Sequence, residues 1–237
     1  MPLSAPVYHL KRQAKLLSRN EKIPLHAALD RIALKEGFSR WSLLLAKRPA
    51  TAPAGEFFGR LTPGDLVLIG ARPGHGKTLM SLELAVEAMK SGNRSVFFTL
   101  EYTEKDILDR FRALGVDVAH FNGLFGFDTS DAISAGYIAQ TMAAAPPGTL
   151  VIIDYLQLLD QKRDNPELMV QIRALKAFAR EKGLIIVFIS QIDRSYDSSE
   201  KPFPGIDDIR LPNPLDLTLF DRTCFLNRGE VQFRDVR

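Results

Sequence analysis

The chain has 237 residues, of which 46% are hydrophobic, and a formal net charge of +3, which allows one domain of ordinary to large size or one domain with a small appendage. The single cysteine, Cys224, excludes an internal disulfide and a metal cluster built from cysteines. No apolar run approaches the roughly 20 residues of a membrane-spanning helix, and no secretory signal is found at the N-terminus. We therefore expect a cytoplasmic protein without membrane contact.

The first fifty residues are basic, with ten Lys and Arg against three Asp and Glu, and their apolar residues recur at helical spacing. We predict one helix over residues 4–20, a second from Pro24 to Gly37, and a short third one. The third helix would be capped by Ser39 and would hold Trp41, Leu44 and Leu45. Residues 1–48 are thus predicted to form a small helical module. A proline- and alanine-rich linker at residues 49–55 would join this module to the main domain.

The charge of this N-terminal module has two interpretations between which the sequence does not decide. A local net charge of +7 suits an anionic partner such as nucleic acid. The same charge is also typical of a solvated helical surface, and the module could then contact another subunit or a different protein.

The stretch from Gly64 to Thr78 reads as a strand, a glycine-rich turn and the start of a helix. A turn of this kind directs backbone N–H groups and the positive end of the helix at one point, which suits a phosphate group. Lys77 adds a full charge for the terminal phosphates, and the Thr78 hydroxyl can ligate Mg²⁺. The common pattern begins with glycine, whereas here Gly70 lies one residue earlier. The candidate phosphate loop consists of Ala71, Arg72, Pro73, Gly74, His75, Gly76, Lys77 and Thr78.

From Phe57 onward, predicted strands and helices alternate, which indicates a mostly parallel sheet flanked by helices. After the loop and its helix, we predict strands over 95–100, 149–153 and 184–190, and helices over 103–114, 131–144 and 166–183. Three of the strands lead into polar residues: Glu101, Asp154 and Gln191. Open α/β sheets place their chemistry at these strand ends, where Asp154 could hold the water shell of Mg²⁺.

Other segments are read less directly. Residues 116–129 contain phenylalanines without a regular period, and residues 192–206 are predicted to be a mobile surface loop because they are long, charged and contain proline. Leu217 to Phe220 is predicted to be a short strand. Residues 223–226 and 231–236, with a turn between them, are predicted to form a terminal hairpin.

Four ordered motifs carry a resemblance to a known family. They are Ala71-Arg72-Pro73-Gly74-His75-Gly76-Lys77-Thr78, Phe98-Thr99-Leu100-Glu101, Ile153-Asp154-Tyr155-Leu156-Gln157-Leu158 and Ser190-Gln191-Ile192-Asp193-Arg194. Over about residues 57–228 the chain resembles the ATPase domain of DnaB-type replicative helicases, a branch of the RecA-like ATPases, whose loop typically begins with alanine. The resemblance implies a RecA-like P-loop core over residues 56–237, with ATP and Mg²⁺ as ligands.

The resemblance also implies roles and partners. Lys77 and Thr78 would bind phosphate and Mg²⁺, Glu101 would orient the attacking water, and Asp154 would support the metal through water. Gln191 would sense the γ-phosphate. The implied activity is that of a DNA helicase acting on single-stranded DNA as a homo-oligomeric ring, such as a hexamer.

The chain departs from the family in two places. The family's DNA-facing Asp-Leu-Arg-Glu-Ser-Gly segment appears as Asp208-Ile209-Arg210-Leu211-Pro212-Asn213, so that Arg210 matches but the glutamate and glycine do not. We take Arg194 and Arg210 as candidate nucleic-acid contacts. The sequence ends at Arg237, before the family's arginine-finger strand, so slow basal hydrolysis and little strand separation are expected. The alternative is an ATP-gated regulator or adaptor that binds nucleotide without unwinding DNA.

Overall fold

The computed structural model describes residues 7–41, 44, 53–160, 165–199, 201–211 and 213–236. The chain divides into two compact units, one of residues 1–52 with 228–230 and one of residues 53–227 with 231–237. A helix begins at Pro53, within the stretch predicted as a linker. None of the helices in the described residues combines the length and the hydropathy that a membrane span requires.

The smaller unit contains helices α1 (Val7–Glu21) and α2 (Leu25–Lys35), in agreement with the first two predicted helices where these are described. The two helices pack through a core of small and aliphatic side chains: Leu10, Ala14, Ala28, Ile32, Ala33 and Leu44. Of the predicted third helix, Trp41 and Leu44 are described as helical, whereas Leu45 lies outside the described residues. The basic side chains of α1, which include Lys11, Arg12, Lys15 and Arg19, are exposed.

The larger unit is an α/β domain. Its strands are β1 (Leu66–Ala71), β2 (Ser95–Thr99), β3 (Phe125–Asp128), β4 (Leu150–Asp154), β5 (Ile185–Gln191), β6 (Arg222–Asn227) and β7 (Glu230–Asp235). Its helices are α3 (Pro53–Phe58), α4 (Lys77–Lys90), α5 (Glu104–Ala113), α6 (Ala135–Thr141) and α7 (Leu168–Lys182). The strands form one sheet in the order β3-β2-β4-β5-β1-β6-β7, and every pairing from β3 to β6 is parallel. The predicted mostly parallel sheet and the terminal hairpin are thereby confirmed.

The central strands are long apolar runs because both faces of the sheet are covered. Every residue of β1, β2 and β4 is buried. One core lies between the sheet and helices α3, α4 and α5, and includes Phe57, Leu84 and Phe111. A second core on the opposite face lies against α6 and α7 and includes Ile138 and Leu175. The helices on both faces of the sheet therefore hold in place the strands whose carboxyl ends carry the candidate site.

The structure assigns one stretch that had no predicted element and corrects two predictions. Residues 116–129, which had no clear interpretation, contain a 3₁₀ turn at Val118–Phe121 and the half-buried edge strand β3. The helix predicted over 131–144 is shorter, because the Ser134 side chain accepts the N–H of Tyr137 and starts α6 at Ala135. The strand predicted at Leu217 to Phe220 is wrong: Leu217–Leu219 is a 3₁₀ turn whose Thr218 N–H is held by the Asp216 side chain.

Gly70, the second-last residue of β1, is required by packing rather than by its backbone conformation. A Cβ at this position would lie 2.8 Å from Cε1 of Phe225 and 3.1 Å from Cδ1 of Ile192, and both of these side chains are buried. We predict that Gly70→Ala lowers the free energy of unfolding by about 1–3 kcal/mol, as overpacking of a filled core does. Denaturant titration measures this change.

Gly136→Ala is the matched control, because a Cβ at exposed Gly136 in α6 would meet nothing within 4 Å. It should leave stability unchanged or raise it by up to about 1 kcal/mol, since alanine is the better helix former. Equal stabilities for the two variants would contradict the packing explanation.

Candidate nucleotide-binding site

The candidate phosphate loop connects the end of β1 to the start of α4. Gly74 and Gly76 have φ angles of 80° and 95°, in the left-handed region that residues with a side chain rarely adopt. Gly76 precedes α4 and supplies no side-chain cap. The first N–H groups of the helix are therefore available to an external acceptor. Together with the charge of Lys77, the first residue of α4, this arrangement suits a phosphate group.

The side chain of Arg72 does not turn toward the centre of this loop. Its Nε and Nη2 donate to the two carboxylate oxygens of Asp197, at 2.9 and 2.7 Å, and its Nη1 donates to the carbonyl of Ile192 at 2.9 Å. The guanidinium is thus already bound by residues that follow β5, and Arg72 can contribute to phosphate binding chiefly through the loop backbone.

Thr78 and Asp154 meet beneath the loop. The Thr78 hydroxyl donates to Oδ2 of Asp154 at 3.4 Å, while Oδ1 of the same carboxylate is buried and accepts no hydrogen bond from the described residues. Burial raises the pKa of Asp154 to about 6, an effect that the charge of Lys77 opposes and that of Glu101 reinforces. A buried, incompletely satisfied carboxylate beside a hydroxyl group fits the oxygen ligands that Mg²⁺ prefers.

Glu101 and Gln191 flank this pair. Glu101 lies two residues beyond β2, is exposed, and donates its backbone N–H to Oγ1 of Thr99 at 3.0 Å. Gln191 is the last residue of β5 and lies in register with Ala71 at the end of β1. The predicted residues are thus brought to one edge of the sheet from the ends of four parallel strands.

The candidate nucleic-acid residues Arg194 and Arg210 are both exposed and lie after β5. The backbone N–H of Arg210 donates to the Gln191 carbonyl at 2.8 Å, and its own carbonyl accepts from Nε2 of Gln157 at 2.6 Å. The prediction of a mobile surface loop over 192–206 is wrong for its anchoring residues, because Ile192 and Tyr196 are buried in the core.

Three residues near the site were not predicted to have a role. Gln157 lies in the motif from Ile153 to Leu158, yet its contact with Arg210 depends on a segment 53 residues away. The sequence around Asp197 does not distinguish it from other carboxylates in exposed loops. Arg110, on α5, places its guanidinium carbon 4.4 Å from the centre of the Tyr102 ring, and its charge is among those that lower the pKa of Asp154. No motif in the sequence could have singled out Asp197 or Arg110.

Comparison with known proteins agrees with this geometry. The profile of the family described as "ATPase: KaiC" matches residues 55–209, a range that contains the loop and all three strand-end residues. The chain is 27% identical over 205 residues to the replicative DNA helicase DnaB of Pasteurella multocida, covering 72% of this chain and 44% of that protein. It is 25% identical over 245 residues to the DnaB of Helicobacter pylori strain 26695, covering 90% of this chain and 50% of that protein.

Two solved structures share the fold. One is a separately solved ATPase domain, which matches with a TM-score of 0.56 at 23% identity, covering 77% of this chain and 78% of that one. A DnaB-like replicative helicase, studied for its interactions with primase, matches with a TM-score of 0.58 at 22% identity, covering 92% of this chain and 65% of that one. The chain spans half or less of these curated DnaB relatives.

Proposed function

The chain belongs to the KaiC family of ATPases, and from this premise we propose that it binds ATP with Mg²⁺, hydrolyses it, and couples hydrolysis to action on single-stranded DNA as part of a homo-oligomeric ring. The observation that carries the proposal is the buried Asp154 carboxylate, which accepts a hydrogen bond from Thr78 at Oδ2 while its Oδ1 has no hydrogen-bond partner among the described residues. A structural ion pair or cap would have satisfied that oxygen, whereas a site for a hydrated cation leaves it available.

The chemistry follows from positioning and charge, since phosphoryl transfer needs no covalent attachment to the protein. Lys77 and the N–H groups at the start of α4 would hold the β- and γ-phosphates. Glu101, at the open edge of the sheet, would orient a water molecule for in-line attack and take up its proton. Thr78 and Asp154 would hold Mg²⁺, which would neutralise charge on the phosphate oxygens.

The described residues contain no group of three or more His, Cys, Asp or Glu side chains arranged to bind a metal ion. This agrees with a Mg²⁺ ion bound mainly by nucleotide phosphates and water, with one hydroxyl and one carboxylate from the protein. Gln191 would then relay the presence of the γ-phosphate to Arg210, because the backbone carbonyl of Gln191 accepts a hydrogen bond from the Arg210 N–H.

The proposal is tested by measuring ATP turnover with and without single-stranded DNA. The molecular mass of the protein in solution, with and without ATP, gives its oligomeric state, and a forked DNA duplex tests for unwinding. DNA-stimulated turnover by a multimer that separates strands is the expected result. A protein that binds ATP but shows no DNA stimulation and no unwinding would instead be an ATP-gated regulator or adaptor. That second candidate is favoured by Leu211, which stands where the resembled family has glutamate in its DNA-facing segment.

We further predict that the basic face of α1 contributes to nucleic-acid affinity. The variant changes four exposed side chains to glutamine in the full chain: Lys11, Arg12, Lys15 and Arg19. If each contacts a phosphate, the slope of log affinity against log salt for single-stranded DNA should become shallower by about 3, and affinity at low salt should fall. Fluorescence anisotropy across a salt series measures both.

The control variant neutralises four exposed basic residues of the larger unit: Lys90, Lys105, Arg112 and Arg173. It should change the salt slope less than the α1 variant does. If the α1 variant binds as tightly as the parent, its charges form a solvated surface or serve a protein contact.

A further inference from the structure

A double hydrogen bond joins the candidate phosphate loop to the segment that follows β5, defined here as the post-β5 segment (residues 192–199 and 201–211). We propose that Arg72 and Asp197 are positioning residues that tie this segment to the loop, so that nucleotide binding in the loop is transmitted to the candidate nucleic-acid residues. The proposal rests on the proposed function, because it takes nucleotide to be the ligand of the loop.

The contact between Arg72 and Asp197 is a bidentate ion pair. The two nitrogens of Arg72 that face Asp197 lie 2.9 and 2.7 Å from separate carboxylate oxygens, which is the paired arrangement that fixes the plane of both groups. The Arg72 side chain is 16% exposed and that of Asp197 is 58% exposed. The link therefore reaches from the packed base of the loop to an otherwise solvated residue of the segment.

Arg72 also holds the start of the segment. Its Nη1 donates to the Ile192 carbonyl at 2.9 Å, while the Ile192 N–H donates to the Ala71 carbonyl at 3.1 Å. Two consecutive residues of the loop thus bind the residue that comes directly after Gln191. A change in the direction of the chain at Ala71 and Arg72 must alter these contacts, because a guanidinium fork matches its partners over a narrow range of angles.

The post-β5 segment is braced internally, so that a displacement at its start is carried to its end. Ile192 and Ile209 form an antiparallel bridge, and the Asp193 N–H donates to the Asp208 carbonyl at 2.8 Å. The Arg210 N–H closes the ribbon by donating to the Gln191 carbonyl at 2.8 Å. Two hydrogen bonds, from Ile192 to Ala71 and from Arg210 to Gln191, consequently connect Arg210 to the phosphate loop.

A purely structural ion pair would behave differently from this coupling element. A partly exposed pair stabilises a folded protein only slightly, and its removal would loosen the post-β5 segment equally with and without nucleotide. A coupling pair makes the behaviour of the segment depend on whether the loop is occupied. The two roles are therefore separated by a measurement made in both nucleotide states.

The experiment is amide hydrogen exchange on the full chain, with and without Mg-ADP, in the parent and in Asp197→Asn. In the parent, nucleotide should slow exchange both in residues 71–78 and in the post-β5 segment. In Asp197→Asn, the loop should remain protected by nucleotide, but the nucleotide-dependent slowing of the segment should fall by about two- to fivefold, the range that a partly exposed ion pair can supply.

Two further variants make the result specific. Asp197→Glu keeps the carboxylate and should restore part of the response, whereas Asp207→Asn makes the same chemical change at an exposed residue of the same segment and should respond like the parent. If the parent loop is protected but Asp197→Asn responds like the parent, the coupling role is wrong and the proposed function stands. If nucleotide protects no part of the parent loop, the proposed function is wrong and the coupling proposal falls with it.

Discussion

Replacing Glu101 with glutamine is expected to slow ATP hydrolysis at least ~100-fold, which is the lower end of what a general base contributes, while Mg-ATP binds about as tightly as it does to the parent. Glutamine preserves the size of the side chain but cannot take a proton from water. The carboxylate lies just beyond the end of β2 and close enough to raise the pKa of Asp154. The change therefore removes a base and one negative charge without disturbing the loop that binds phosphate.

Phosphate release under saturating ATP gives the turnover, and titration with a fluorescent nucleotide gives the affinity. Glu104→Gln is the matched control, because Glu104 is an exposed carboxylate at the start of α5. It should hydrolyse ATP at the parental rate. Parental turnover by Glu101→Gln would place the base elsewhere.

Replacing Lys77 with alanine is expected to weaken ATP binding by at least about 30-fold, as expected when one partner of a closely paired charge is removed. Lys77 is the first residue of α4, so the fold should survive, since alanine is the best helix former. A second effect adds to the first. The charge of Lys77 opposes the increase in the pKa of Asp154, so its loss should leave that carboxyl group more protonated near neutral pH and less able to hold Mg²⁺.

Calorimetric titration measures the affinity, and circular dichroism verifies that the variant is folded. Lys90→Ala provides the control, because Lys90 lies in the last turn of the same helix and is exposed. It should bind ATP like the parent. A folded Lys77→Ala variant with unchanged affinity would remove the basis for the phosphate-loop assignment.

The parts of the fold that could be predicted are those whose signals are local. Buried strands such as β4 are uninterrupted apolar runs, and α7 ends at Gly183 because that residue adopts a left-handed conformation. Strand β3 escaped prediction because a four-residue edge strand is only half-buried and lacks a clear alternation. The apolar leucines before Phe220 predict a strand, but they form a 3₁₀ turn in the structure. In the structure Phe220 packs edge-on against Phe188, with ring centres 5.7 Å apart.

The site divides in the same way. Lys77, Thr78, Asp154 and Gln191 follow from their places at the ends of strands and the start of a helix, which the sequence pattern indicates directly. The contact between Arg72 and Asp197 joins residues 125 positions apart and depends on how the post-β5 segment folds back on itself, with Ile209 paired to Ile192. No periodicity or spacing encodes that path. The catalytic and sensing roles of these residues remain predictions.

The position of β1 in the sheet has a consequence for how the protein is made. The strand that leads into the phosphate loop pairs with β5 on one side and β6 on the other, and its first N–H, that of Leu66, is bound by the Asp221 side chain at 2.9 Å. All of these partners are synthesised more than a hundred residues later. During translation the backbone groups on both sides of β1 therefore stay unpaired until β5 and β6 are made, and a strand in this state is prone to aggregation. We therefore expect nascent chains that end before residue 185 to be bound by chaperones, and nucleotide binding to begin only after residue 227 has left the ribosome.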